Sequence, residues 1–194
     1  MKHGDADGKP RVDVRAMRSE DLPMCATVFR NSLNGVRATL GIASGEFPGV
    51  EHDFAHLLCH DPDGALVAKD DDGEVVGFAL AACREELWVL CDLFVAPEAQ
   101  GAGVGKLLLT QAVRYGERLP AGIICSTADP RAIRSYVRLP GFQVHPTLIA
   151  RGTNDHSRVG STEGVREGAT TDLDFAADLD RRFRRGRMAP TLST

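Results

Sequence analysis

The sequence lacks any apolar run long enough to cross a lipid bilayer, and its first residues, MKHGDADGKPR, contain no apolar leader segment. A membrane-spanning helix needs about 18 or more consecutive apolar residues, so we expect a protein that does not enter membranes. The chain also lacks a strong excess of either charge, because 27 acidic and 23 basic residues leave a net charge of -4. This balance gives no overall attraction to nucleic acid and favours small-molecule partners.

Cysteine pairs spaced as C-x-x-C are absent as well. The cysteines stand singly in apolar surroundings, which predicts small buried side chains in a reducing compartment, the cytoplasm, rather than disulfides. The five residues concerned are Cys25, Cys59, Cys83, Cys91 and Cys125.

Chain length limits the number of domains. With 194 residues, of which 43% are hydrophobic, the chain can bury one good core but not two complete ones. We expect a disordered tail over residues 1–11, one domain over 12–150, a polar linker over 151–164 and a short further segment over 165–194.

Hydrophobic periodicity and turn residues predict the element order β-α-α-β-β-β-α-β-α-β. This order is typical of an α/β, or layered α+β, domain built on a mixed sheet. Asp72-Gly73 predicts a tight hairpin between the second and third strands. Asn34-Gly35 predicts the end of the first helix, and residues 142–151 predict the last strand.

A glycine-rich loop, QGAGVGKLLL, begins at Gln100 between a predicted strand and a predicted helix. It is not a dinucleotide fingerprint, because Lys106 stands where the third glycine is needed, and it is not a Walker A loop, because Leu107 follows the Gly-Lys pair. Unpaired backbone N–H groups at the start of a helix nevertheless favour an anion. The loop therefore predicts a phosphate-bearing ligand, with a plain strand-to-helix turn as the alternative.

Two stretches resemble the GNAT acyltransferase superfamily. The Q-x-x-G-x-G pattern at Gln100, Gly103 and Gly105 is similar to the family's coenzyme A loop, and DPRAIRSYVRLPGF is similar to its helix carrying Asn, Ala and Tyr before a Gly-Phe pair. Two residues depart from the pattern: Asp129 replaces the usual asparagine, and Pro140 adds one position before the Gly-Phe pair. The resemblance implies a mixed, splayed sheet flanked by helices.

The resemblance also implies an acetyl-CoA-dependent N-acyltransferase that moves an acetyl or acyl group to a primary amine by direct transfer in a ternary complex. A non-catalytic acyl-CoA-binding or regulatory domain is the alternative. The implied coenzyme contacts combine the backbone of one strand, the glycine loop and the start of the next helix. They are Leu93, Phe94, Val95, Gln100, Gly101, Ala102, Gly103, Val104, Gly105, Lys106 and Asp129.

Two residues are candidates for proton transfer. The resemblance places Tyr136 beside the coenzyme sulfur as a hydroxyl donor, although a packed core tyrosine is the alternative. Asp92 lies on the central strand next to the implied thioester site, where desolvation would raise its basicity. Glu85, Glu86 or a water relay could replace Asp92 as the base, and Asp92 could instead bond a neighbouring loop.

His52, His56 and His60 recur every four residues and predict one face of a helix. The outer two would lie about two turns apart, so the three cannot surround a single zinc ion, and we expect no metal. The resemblance places this helix beside the acceptor pocket, and a solvated helix face is the simpler interpretation.

The C-terminal segment repeats the start of the chain. VRAMRSEDLPMCATVFR at residues 14–30 and VREGATTDLDFAADLDR at 165–181 align without gaps. The repeat resembles the opening strand and helix of a second, truncated GNAT copy, although a chance match is the alternative. We predict a homodimer in which this segment packs against a domain and leaves the arginine-rich stretch RRFRRGR exposed. Its inward side would consist of Leu173, Phe175, Ala176 and Leu179.

Overall fold

A five-stranded mixed sheet is the framework of this computed structural model, which describes residues 12–147, 152–153 and 160–186. The strands lie side by side in chain order; the first four are antiparallel, and the fifth runs parallel to the fourth. This sheet with its flanking helices confirms the predicted α/β fold class. The elements are β1 Asp13–Ala16, α1 Leu22–Thr39, α2 Val50–His60, β2 Ala65–Lys69, β3 Val75–Arg84, β4 Leu87–Val95, α3 Val104–Gly116, β5 Ala121–Ile124 and α4 Pro130–Tyr136.

Two hydrophobic clusters cover the two faces of the sheet. On one face, Phe54 of α2 and Cys25 of α1 pack against Phe78 and Leu80 of β3. On the other face, Leu108 of α3 belongs to a cluster with the strand residues whose side chains point to that face. Helices on both sides explain why β3 is buried along most of its length rather than alternating between buried and exposed positions.

The hairpin predicted at Asp72-Gly73 is confirmed, with Gly73 at a φ of +82°. The first helix does not end at Asn34-Gly35 as predicted but continues to Thr39. Asn34 remains helical because the loop that follows the helix provides hydrogen bonds to its side-chain amide. Its Nδ2 donates to the Gly45 carbonyl at 3.3 Å, and its Oδ1 accepts from the Gly45 N–H at 2.9 Å. A tertiary contact therefore outweighs the local turn signal.

Two further expectations need correction. Residues 142–147 contain no strand, in keeping with the missing N–H of Pro146, and residues 148–151 of the predicted last strand lie outside the described residues. The cysteines are all free but are not uniformly buried, since Cys59 and Cys125 are exposed and only Cys25 is fully enclosed. Cys59 lies at the end of α2 and Cys125 directly after β5, whereas Cys83 and Cys91 lie in the long strands β3 and β4 and are partly buried.

The chain divides into two units after Val144. In the second unit, a 3₁₀ turn at Thr170–Asp172 leads into the helix α5, Leu173–Gly186. Leu173, Phe175 and Leu179 are exposed. No helix among the described ranges has the length and apolar character that a membrane crossing requires.

Candidate active site

The sheet opens between β4 and β5. These strands pair only from Leu87 to Leu90, whereas β4 continues to Val95. The register against β3 shifts at the same point: Asp92 lies opposite Leu80 and Leu90 opposite Ala81, so that Cys91 is an extra residue in β4. A bulge of this kind bends and twists a strand, which accounts for the divergence of the two strands.

The backbone of β4 beyond the bulge borders this opening. Ala96 donates to the carbonyl of Val76 on β3 at 2.9 Å, and hydrogen bonding alternates along an antiparallel pair. The N–H and C=O groups of Leu93 and Val95 therefore point away from β3, towards the gap. The Val95 carbonyl already accepts from Ser32 Oγ at 2.8 Å and from Gln100 Nε2 at 3.0 Å.

A cleft of about 390 Å³ lies in this gap. Of the implied coenzyme contacts together with Asp92 and Tyr136, only Ala102 and Val104 do not border it; Val104 is 1% exposed and packs into the core. The predicted residues that do border it are Asp92, Leu93, Phe94, Val95, Gln100, Gly101, Gly103, Gly105, Lys106, Asp129 and Tyr136. The structure thus brings residues from separate parts of the chain into one cleft.

The glycine loop turns sharply into α3. Gly101 and Gly103 have φ values of +83° and +95°, a region that side chains other than glycine rarely adopt. The N–H groups of Val104 and Gly105 precede the first intrahelical bond and have no acceptor within the helix. Lys106 is among the implied coenzyme contacts, but its backbone N–H already donates to the Gly103 carbonyl at 3.1 Å. Only the Lys106 side chain remains available.

Asp129 and Arg131 form an ion pair at the start of α4. Asp129 accepts from the Arg131 backbone N–H at 2.9 Å and from its guanidinium at 3.1 and 2.7 Å. These hydrogen bonds from Arg131 lower the pKa of Asp129 below its usual value. The negative charge introduced where the family usually has asparagine is therefore compensated within the helix. Arg131 Nη1 also donates to Gln100 Oε1 at 2.6 Å.

Tyr136, at the end of α4, borders the cleft and packs against the cluster on the α3 face of the sheet. Burial, with a smaller contribution from Asp129, raises the pKa of Tyr136 above its ordinary value. The hydroxyl consequently stays protonated at neutral pH and can donate a hydrogen bond or a proton.

Asp92 lies on the opposite face. It pairs with Leu80, which belongs to the cluster beneath α1 and α2, and directly opposed residues in an antiparallel sheet share a face. Burial, reinforced by the nearby carboxylate of Asp53 on α2, raises the pKa of Asp92 to about 6. A carboxylate with this pKa is deprotonated at neutral pH and is a stronger base than an exposed aspartate.

The alternative bases are in another place. Glu85 and Glu86 form the turn of the β3–β4 hairpin, and Asp92 follows Glu86 by six strand residues, roughly 20 Å along an extended chain.

His52, His56 and His60 lie exposed on α2, with the His56 and His60 rings 4.2 Å apart. No group of metal-ligating side chains occurs among the residues that the structure describes.

Two residues at the cleft were missed by sequence reasoning. Ser32 continues the buried stripe of α1, and a polar residue in such a stripe indicates a buried hydrogen bond. Arg131 follows the helix-capping Asp129 by two residues, which is the spacing for a local ion pair. Only the tertiary structure shows that both residues act on the strand end and the glycine loop.

Comparisons with known proteins agree with this geometry. Residues 37–142 match the family model described as acetyltransferase (GNAT) family. An uncharacterized N-acetyltransferase from Archaeoglobus fulgidus is 32% identical over 137 residues, which cover 64% of this chain and 89% of that protein. A mycothiol acetyltransferase from Streptomyces coelicolor is 37% identical over 92 residues, 45% of this chain but only 29% of that protein.

A solved structure adds support for the fold. The PaiA N-acetyltransferase from Thermoplasma acidophilum, in complex with coenzyme A, superposes with a TM-score of 0.57 at 21% identity, covering 71% of this chain and 92% of that one. At that identity the likeness concerns the fold alone. The family match over more than half of the sequence shows that this chain belongs to the GNAT family of acetyltransferases.

Proposed function

We propose that this chain transfers the acetyl group of acetyl-CoA directly to a primary amine, with both substrates bound at once. The observation that carries the proposal is the cleft between β4 and β5, which combines an unpaired strand edge with the unoccupied N–H groups at the start of α3. The strand edge can pair with an amide-containing arm, and the N–H groups can bind a phosphate. The N-acetyltransferase name of the Archaeoglobus relative supports nitrogen as the acceptor atom.

The backbone of β4 gives the coenzyme a defined place. The pantetheine arm would pair with the Leu93 backbone and the Val95 N–H as an additional strand, while the pyrophosphate would bind the N–H groups of Val104 and Gly105. The Val95 carbonyl, already accepting two hydrogen bonds, takes no further donor. Lys106 would add a positive side chain at the rim.

The positions of Asp92 and Tyr136 fit a direct transfer. Asp92 accepts a proton from the attacking ammonium, the amine nitrogen forms a bond to the thioester carbonyl carbon, and the carbon–sulfur bond then breaks. Tyr136 donates a proton to the departing thiolate while the nitrogen, now bonded to carbon, gives its second proton to water. Water then reprotonates Tyr136, and Asp92 releases its proton to the solvent. Because the two side chains border the cleft from opposite faces of the sheet, the amine and the leaving sulfur need not compete for the same space. Holding both substrates in one cleft supplies most of the acceleration.

A panel of amine acceptors with acetyl-CoA, followed by release of free thiol, tests this function. We expect thiol release that depends on both the acceptor and the protein. Binding of acetyl-CoA without turnover on small-molecule or peptide amines would instead favour a regulatory acyl-CoA-binding domain.

The free cysteines are consistent with a reducing, cytoplasmic location, which we include in the proposal.

The pH dependence tests the role of Asp92. With a pKa of about 6, its carboxylate is protonated below that pH, so kcat/KM should rise with pH through 6 and level off above it. Asp92→Asn should abolish this inflection and lower kcat/KM at pH 7.5 by at least about tenfold. The measurement is the pH profile of both proteins with one amine.

A stability measurement provides the control. Because the folded-state pKa is raised, the protonated form stabilises the fold, and this stabilisation is lost as the pH rises through about 6. Asp92→Asn should therefore melt at a higher temperature than the parent at pH 8, and the difference should shrink as the pH falls from about 6 towards 3.8, the ordinary pKa of the group. A variant with unchanged activity would exclude Asp92 as the base.

We also propose that residues 165–186 are the opening unit of a second copy of this fold and that the protein is a homodimer. Arg166 contacts Asp172 at 2.8 and 2.6 Å, as Arg15 contacts Asp21 at 2.8 and 2.8 Å. In both places the helix then begins one residue after the aspartate. The same local geometry at equivalent positions supports duplication over chance.

Removal of the segment tests its docking. A chain that stops after Gly164 should lose dimer mass in light scattering and melt at a lower temperature, because the apolar side chains of α5 would no longer cover a surface. Equal mass and equal midpoint in the two proteins would show that the segment does not dock.

A further inference from the structure

A continuous chain of hydrogen bonds crosses the mouth of the cleft from α4 to α1. It runs from Asp129 to Arg131, from Arg131 to Gln100, and from Gln100 to the Val95 carbonyl, which Ser32 also contacts. We propose that Arg131 is a positioning residue that fixes the side chain of Gln100 and thereby prepares the glycine loop and the end of β4 for the coenzyme. The inference rests on the proposed function.

The guanidinium of Arg131 is held in place before any ligand arrives. Asp129 accepts from Nε at 3.1 Å and from Nη2 at 2.7 Å, and these two bonds fix the plane of the group. The remaining nitrogen, Nη1, then points at Gln100 Oε1, 2.6 Å away. The Arg131 side chain is 64% exposed, so its own order depends on these contacts rather than on packing.

Arg131 decides which way the Gln100 amide faces. A guanidinium can only donate hydrogen bonds, so Gln100 must present its oxygen to Arg131 and its NH₂ group to the Val95 carbonyl. The reversed amide would place two donors together at Arg131 and two acceptors together at Val95. Without Arg131 this penalty at one end disappears, and the amide can rotate away from the strand.

The orientation of Gln100 matters because the Val95 carbonyl faces the coenzyme arm. Ser32 and Gln100 together occupy both lone pairs of that oxygen, at 2.8 and 3.0 Å. The strand edge then offers the arm only the Leu93 groups and the Val95 N–H, which defines one register for pairing. If Gln100 were released, the Val95 carbonyl could accept a hydrogen bond from the arm, and the register in which the arm pairs with β4 would be less defined.

Charge balance argues against Arg131 as a direct phosphate ligand. The charged side chains bordering the cleft in the described part of the chain are Asp92, Lys106, Asp129 and Arg131. Asp129 engages the charge of Arg131 through a short ion pair at 2.7 Å. Lys106 takes part in no such pair at the cleft, and it is the better candidate for the phosphate. We therefore expect Arg131 to act through Gln100.

A double-mutant cycle tests the coupling. Binding of acetyl-CoA and of its 3′-dephospho form is measured by calorimetry for the parent, Arg131→Ala, Gln100→Ala and the double variant. We expect each single change to weaken binding of both ligands by about 5- to 10-fold. The double variant should bind no more weakly than the single variant with the larger loss of affinity. In steady state, Arg131→Ala should raise KM for acetyl-CoA and leave kcat within about twofold.

The matched control is Arg134→Ala, which removes an exposed arginine from the same helix and should leave both affinities unchanged. Losses that multiply in the double variant would overturn the inference, because they would show that the two residues act independently. A loss confined to acetyl-CoA and absent for the dephospho form would also overturn it, since it would assign Arg131 to the 3′-phosphate. Failure of the unaltered protein to bind acetyl-CoA would instead refute the proposed function and this inference with it.

Discussion

Replacing Tyr136 by phenylalanine is expected to lower kcat by about 100-fold while changing the affinity for acetyl-CoA by less than about twofold. The ring would keep its packing against the α3 face, so the coenzyme cleft should retain its shape. The hydroxyl is lost, and with it the proton donor that we propose for the departing thiolate. Because its pKa lies above the ordinary value, the parent hydroxyl is a donor throughout the neutral range. The measurement is kcat by thiol release, together with calorimetric affinity.

The only other tyrosine provides a matched control. Tyr115 Oη donates to Asp61 at 3.2 Å, within an ion-paired cluster that includes Arg84 and does not border the cleft. Tyr115→Phe should lower the thermal midpoint and leave kcat unchanged. If Tyr136→Phe turned over as fast as the parent, Tyr136 would be a packing residue and water would protonate the sulfur.

Replacing Gly105 by glutamate is expected to weaken acetyl-CoA binding by about 100-fold without destabilising the protein. A Cβ at this position would lie 3.5 Å from Val95 Cγ2 and 3.8 Å from Leu93 Cδ2, which is ordinary contact. An acidic residue in the first turn interacts favourably with the helix dipole. The same carboxylate, however, would occupy the N–H groups to which we assign the pyrophosphate and would repel it. Calorimetry and thermal melting measure the two effects separately.

Gly105→Ala is the control for this variant, since it adds the Cβ without the charge and should change the affinity by less than about threefold. Gly103 is a poorer position for the test: its φ of +95° would strain any β-branched side chain, so lost binding could reflect a damaged loop. Unchanged affinity in a folded Gly105→Glu protein would contradict phosphate binding at the start of α3.

Several elements could be predicted because their causes are local. Asp72-Gly73 has the conformational freedom that a tight hairpin requires, and the helix after the glycine loop has its own apolar periodicity. The helix ends at Gly116, a residue type that often terminates helices. Its second role was not visible in the sequence: a Cβ at Gly116 would collide with the ring of Trp88, so the glycine also allows α3 to approach the sheet.

The arrangement of the site could be predicted only in part. The residues of the glycine loop themselves predicted an anion site, and the resemblance added coenzyme A, Tyr136 and the thioester position beside Asp92. Neither gave a sign that Lys106 uses its own N–H within the helix or that Arg131 reaches Gln100. Arg131 and Gln100 lie 31 positions apart in the chain, so only the tertiary structure brings them together, whereas the Lys106 contact with Gly103 depends on the geometry of the local turn. The bulge at Cys91 opens the cleft, but no glycine or proline at this position indicates it in the sequence. It depends on how β3 and β4 pair.

Two stretches of similar sequence, residues 14–30 and 165–181, separate local from tertiary causes. In both, an arginine six residues before an aspartate forms the same ion pair, and the aspartate accepts the same backbone N–H, at 2.8 Å from Arg18 and 2.7 Å from Ala169. The sequence alone determined this turn and the helix that follows it, since every partner lies within a few residues. The strand did not follow from the sequence in the same way. Residues 13–16 form β1 because β2 supplies its hydrogen bonds, whereas residues 165–169 have no strand structure. A strand needs a partner from elsewhere in the fold, and only the tertiary structure provides it.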